Sequence, residues 1–107
     1  MQNTNNTNIM IGWTTVSSQE DAEKIVKKLL ELNLIACGQI NGPISSHYKW
    51  DGEMHNEQEW RVTVKYAHKQ MDETSRKLLA IHPYDTPQWT TVEATTNRKY
   101  GEWVNCS

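Results

Sequence analysis

The stretch SSQEDAEKIVKKLLELNLIACGQI, residues 17–40, changes its apolar period partway along, and that change decides the fold class. Ala22, Ile25, Val26, Leu29 and Leu30 recur at helical spacing and form one stripe. Ser17 and Glu20 fit a capping box, in which hydroxyl and carboxylate each satisfy a free backbone N–H at the helix start. Glu20–Lys24 and Glu23–Lys27 are pairs four apart, in the favourable order. The segment LIACGQI (34–40) is then short, apolar and bounded by turn formers, which predicts a strand.

Working outward, IMIGWTT (9–15) reads as a first strand with Ile9, Ile11 and Trp13 on one face. Asn41-Gly42-Pro43 interrupts the second strand with a bulge or kink, and SSHYKW (45–50) resumes it. Asp51-Gly52 is a strong two-residue hairpin signal. In EWRVTVKY (59–66), Trp60, Val62, Val64 and Tyr66 face one way, and Glu59, Arg61, Thr63 and Lys65 the other. KQMDETSRKLLAI (69–81) predicts a second amphipathic helix with Met71, Leu78 and Leu79 inward, ended by Pro83. WTTVEA (89–94) is a fourth strand. RKYGEWV (98–104) fits a short terminal helix that Gly101 weakens.

The order is β-α-β-β-α-β, with helices joining strands that can lie parallel. Right-handed crossovers then give an α+β, ferredoxin-like βαββαβ sandwich with a short C-terminal helix. Two helices cover one face of an antiparallel sheet. The face carrying Glu59, Arg61, Thr63 and Lys65 is left to water or to a partner subunit. Residues 1–8 read as a disordered polar tail and 9–107 as a single domain.

Composition narrows the function. The chain has 107 residues, 36% of them hydrophobic, no Phe and five Trp. Its mean hydropathy of −0.78 implies a thin core that gains from oligomerisation. A net charge of −2 argues against a nucleic-acid partner. No apolar run spans a bilayer, and the N-terminus lacks signal-peptide character. Two Cys without framework spacing point to a reducing, cytoplasmic setting.

The segment HPYDTPQW (82–89) is the sharpest chemical candidate. His82 suits a metal or a proton shuttle, or a structural hydrogen bond at the helix end. Cys37 in an apolar strand fits a packing role, and only as a thiolate would it be a ligand. There is no CxxC, HxxxH or HExxH pattern, no phosphate loop and no nucleophile elbow. An acylphosphatase-like hydrolase would need an arginine in an anion cradle, and Arg61, Arg76 and Arg98 lack one.

The order and spacing of DAEKIVKKLLELNLIACGQI, SSHYKWDGE, Glu59…Lys65, HPYDTP and KYGEW resemble the CutA family of divalent-cation tolerance proteins, from about Ile9 to Val104. The resemblance implies a homotrimer whose strands continue one another's sheets. It also implies association with copper or another divalent metal, and no enzymatic activity. The family's recurring polar positions map to Cys37, Tyr48, Trp50, Glu59, Lys65, His82, Tyr84, Tyr100 and Trp103. An intersubunit cleft with Tyr48, Trp50, Glu59, Lys65, His82, Tyr84 and Gln88 follows, with Cys37 and His82 as metal ligands. The alternative is a module similar to PII signalling proteins, holding a metabolite or anion in that cleft. The chain departs from the family at Pro87-Gln88, where Pro-Glu is usual, and at Tyr66, where threonine is usual. With Lys65 present and that carboxylate absent, the cleft is expected to favour a small anion.

Overall fold

The computed structural model describes residues 5–107 and places four strands and three α-helices in the order β1 (Asn6–Val16), α1 (Gln19–Glu31), β2 (Cys37–Trp50), β3 (Glu53–Tyr66), α2 (Met71–Ile81), β4 (Thr90–Asn97), α3 (Arg98–Cys106). The strands form one sheet in the order β2-β3-β1-β4, every neighbouring pair antiparallel. Strands joined through α1, and those joined through α2, therefore run parallel without touching. This is the expected split βαβ arrangement.

β1 begins earlier than its apolar run. Asn6, Thr7 and Asn8, read from sequence as part of a polar tail, pair with Asn97, Thr96 and Thr95 of β4. Backbone pairing holds them, so their polar side chains are no obstacle. Residues 1–4 of the expected tail lie outside the described residues.

α1 is capped one residue later than expected. Ser18, not Ser17, takes the N-cap, and its Oγ accepts the Asp21 N–H at 3.0 Å. The Ser-x-x-acid spacing occurs twice in overlap, and Ser18 with Asp21 is the pair the helix uses. Ala22, Ile25, Val26 and Leu29 are buried, whereas Leu30 lies outside the stripe and is exposed. Asn33, with φ 58°, ends the helix in a left-handed turn. There the Leu34 N–H bonds Leu29 O and the Asn33 N–H bonds Leu30 O, both at 3.0 Å.

Alternation along the two central strands divides the sheet. Met10, Thr14 and Val16 of β1, with Val62, Val64 and Tyr66 of β3, are buried on the side covered by α1 and α2. Opposite them lie Ile11, Trp13 and Thr15, in register with Lys65, Thr63 and Arg61. α2 contributes Thr74 and Leu78 to the core, while Leu79, expected inward, is half exposed. The buried Thr74 hydroxyl donates to Leu34 O at 3.1 Å and fixes the phase of the helix. Leu79 then lies roughly 100° around from Leu78.

The hairpin is longer than the sequence reading. Asp51 and Gly52 have φ of 52° and 79°, the backbone of a type I′ turn, and β3 runs on from Glu53. The expected interruption of β2 is a bulge between Asn41 and Ile44 containing a cis Gly42–Pro43 bond. Because β1 stops at Val16, opposite Trp60, the residues Ile44–Trp50 and Glu53–Glu59 pair only with each other. They project as a two-stranded arm. α3 forms despite Gly101, on the sheet face away from the other helices. A Cβ at Gly101 would collide with Thr7 Cγ2, so glycine permits the approach that costs helix propensity elsewhere.

The Tyr66 hydroxyl is buried without a protein partner among the described residues, and burial pushes its pKa up to about 12. An orphaned buried hydroxyl offsets part of the gain from packing its ring. Tyr66→Phe should therefore leave the urea-unfolding free energy unchanged, or raise it by up to about 1 kcal/mol. A loss greater than that would show that the hydroxyl is satisfied in solution.

Candidate functional site

A cleft of about 680 Å³ lies between the hairpin arm and the segment that follows α2. It is lined by Tyr48, Trp50, Glu57 and Glu59 from the arm, Tyr84, Asp85 and Gln88 from the segment, and Thr15 and Ser17 at the end of β1. The arm supplies its wall by strand alternation. Ser46 lies opposite Glu57, Tyr48 opposite His55, and Trp50 opposite Glu53, so these side chains share one face. Tyr48 stacks on His55 with ring centroids 5.2 Å apart.

His82 positions the other wall. It is only 8% exposed, and its imidazole joins three pieces of chain. Nδ1 accepts the Tyr84 N–H at 3.1 Å, so Nε2 carries the hydrogen. Nε2 faces Thr15 O at 3.1 Å and Thr14 Oγ1 at 2.8 Å. The segment is anchored again at Trp89, whose Nε1 donates to Ser75 Oγ at 2.8 Å and whose ring stacks over Tyr66. A Cβ at Gly12 would collide with that ring, so the indole occupies the space a side chain would take. Between the anchors, Tyr84 reaches across the cleft and its hydroxyl donates to Glu59 Oε2 at 2.8 Å.

Electrostatics follow the same contacts. Burial and the bonded Glu59 carboxylate raise the Tyr84 pKa above the ordinary phenol value, keeping it a donor. Desolvation, with Glu57 beside it, raises Tyr48 likewise. Burial lowers the His82 pKa, outweighing the Thr15 carbonyl and the charges of Asp21 and Glu59. Glu57, Glu59 and Asp85 make no ion pair with Lys or Arg among the described residues.

The cleft brings together Tyr48, Trp50, Glu59, Tyr84 and Gln88 of the expected set, and leaves out Lys65 and His82. Lys65 sits on the open sheet face, where its Nζ donates to Gln39 Oε1 at 2.8 Å and lies 5.7 Å from the Tyr100 ring centre. His82 supports the wall from behind. As lined by one chain, without Lys65, the cleft is acidic; the small-anion expectation concerns a cleft between subunits, whose other wall one chain does not supply. Gln88 lines it and donates to Thr90 Oγ1 at 3.2 Å. Cys37 and His82 do not converge. Cys37 pairs with Lys65 on the open face, beside Tyr100, whereas His82 is buried against Thr14 with both ring nitrogens engaged. Among the described residues, no three His, Cys, Asp or Glu side chains are placed to hold a metal ion. The sequence reading missed Glu57 as a cleft residue. It stands two residues from Glu59, and strand period alone puts them on one face.

A family model described as CutA1 divalent ion tolerance protein matches residues 10–107. A divalent-cation tolerance protein CutA of Thermus thermophilus is 35% identical over 91 residues, covering 84% of this chain and 88% of that protein. One from Pyrococcus horikoshii is 30% identical, covering 90% of this chain and 94% of its own length. The crystal structure of the divalent ion tolerance protein CutA1 from Ehrlichia chaffeensis superposes with a TM-score of 0.87 at 40% identity, over 91% of this chain and 92% of that one.

The lowered His82 pKa sets a direction for stability against pH. The unfolded chain binds the proton more tightly, so stability is at full strength above the unfolded value near 6.5 and falls as pH drops from there through the folded value. Urea midpoints measured across this range should fall with pH in the parent, and fall less steeply in His82→Gln. Parallel curves would show that His82 is not kept neutral by the fold.

Proposed function

The chain belongs to the CutA1 divalent ion tolerance family, and from that membership we propose that it works as a homotrimer in the response to divalent metal ions, copper among them. The observation that carries the trimer is the open sheet face. Ile11, Trp13 and Val92 lie together there, with Ile11 in register with Val92, and neither α1 nor α2 covers them. α3 closes one end through Tyr100 and Gly101, leaving the rest for a second copy. Edges β2 and β4 each keep an unpaired side, which suits sheets continued by neighbouring subunits. The exposed Met54 of the arm adds apolar surface of the kind an assembly covers.

Copper is cargo in this reading, and the role is non-enzymatic. Both thiols, Cys37 and Cys106, are free, which suits a reducing compartment such as the cytoplasm. Soft sulfur prefers Cu(I). Cys37 is half-buried on the open face, next to Tyr100, and copies meeting there bring their thiols into the same interface. No helix among the described residues is long and apolar enough to cross a membrane.

Sedimentation equilibrium at micromolar concentration should return three times the 12.4 kDa chain mass. Val92→Arg, which places a charge opposite Ile11, should return the single chain. A monomeric parent protein sinks the trimer.

The metal reading has its own measurement. Cu(I) titration of the parent, Cys37→Ser, Cys106→Ser and the double variant should show binding reduced by loss of Cys37 and abolished in the double variant. If the double variant binds as the parent does, thiols are not the ligands.

A further inference from the structure

The cleft under the arm is too large for a bare ion and too acidic for an anion. Its volume of about 680 Å³ is that of a small-molecule site. Its walls are aromatic, from Tyr48, Trp50 and Tyr84, and no Lys or Arg lines it. Two of its carboxylates are set out on a rigid ruler. Glu57 and Glu59 share one face of β3, two residues apart, hence about 7 Å along the strand. The Tyr84 hydroxyl holds one Glu59 oxygen, leaving the other free to accept. The Tyr48 phenol lies beside Glu57.

We propose that this cleft binds a small aliphatic diamine, with its two ammonium groups on Glu57 and Glu59 and its methylene chain against Tyr48, Trp50 and Tyr84. Each ammonium forms a charge-assisted hydrogen bond to a carboxylate already oriented within the fold. The aromatic faces attract the same cation through their ring quadrupoles and bury the alkyl chain. A metal ion makes poor use of this arrangement. The carboxylates are spread along a strand instead of converging, and aromatic walls offer no hard oxygen ligands. The lining residues all come from one chain, so the proposal is separate from copper binding by thiols, and it requires that assembly leave this face of the arm open.

The test is calorimetry on the full chain at low salt with 1,4-diaminobutane, against two controls. n-Butylamine has the same carbon chain and one charge; magnesium chloride supplies two charges and no apolar body. The diamine should bind at least about tenfold more tightly than either. Glu59→Gln should weaken it about tenfold, and so should Trp50→Ala. Trp50 is 56% exposed on the arm, so its loss leaves the core intact and keeps the test valid should Glu59→Gln unfold the wall. The proposal is overturned by an absence of diamine binding up to tens of millimolar. It is overturned equally by magnesium matching the diamine, which would mean charge screening alone, or by both variants binding as the parent does. Sedimentation of the same samples separates a failed ligand from a failed trimer.

Discussion

Strand alternation in β1 and β3 is the constraint from which the rest of the molecule follows. Val16, Val62, Val64 and Tyr66 are each 1% exposed or less, and they are buried because α1 and α2 lie across one side of the sheet. Each strand turns its intervening residues the other way, and a two-layer sandwich has no second set of helices for them. Ile11, Trp13 and Val92 therefore face outward as a consequence of the core being made. In the proposed trimer a second copy would cover that face.

A mismatch of strand lengths makes the cleft. β1 ends at Val16 while the hairpin runs on to its type I′ turn, so the arm has a free face with nothing of β1 beside it. The 82–89 segment fills part of that space because His82 and Trp89 pin it at both ends to the helix-covered side. His82 links the core to the site. The same imidazole that touches Thr14 and the Thr15 carbonyl holds the Tyr84 backbone, and Tyr84 holds Glu59. Protonating Nδ1 would remove its acceptor and release Tyr84 from its register. Cleft geometry and core packing therefore share one neutral histidine.

The elements were legible where burial and periodicity agree, as in Ala22–Leu29 and Trp60–Tyr66. They were less so where a polar segment is held by its partners. Asn6–Asn8 carry no strand signal of their own and are paired because β4 is there. Leu79 directly follows Leu78, and the buried Thr74, bonded to Leu34 O, marks the face that α2 turns inward. At the site, Tyr48, Trp50, Glu59, Tyr84 and Gln88 were legible through family resemblance, and the structure gathers them. Lys65 was grouped with Glu59 because both lie on one strand face. Six residues of strand separate them by roughly 20 Å, so one chain does not bring them together, and the expected cleft draws on more than one subunit. His82 was legible as special but not as the support behind the wall, since the partners of its two nitrogens come from β1, 67 and 68 residues away, and from its own segment.

Family membership and single-chain geometry bear on each other at the metal. The family is described by divalent ion tolerance, yet among the described residues of one chain no three ligating side chains converge. Cys37 and His82 lie on opposite faces of the sheet, and the carboxylates of the arm are spaced along a strand. A tight protein-ligated centre asks for three or four donors at fixed angles around one ion. The Cys37 thiol stands on the open face, beside Tyr100 and across from Lys65. Bringing copies together there multiplies the thiols without moving a strand, whereas gathering donors within one chain would require taking the sheet apart. In the proposed trimer, the surface that the fold leaves uncovered is thus also where copies of this chain would bring the Cys37 thiols together.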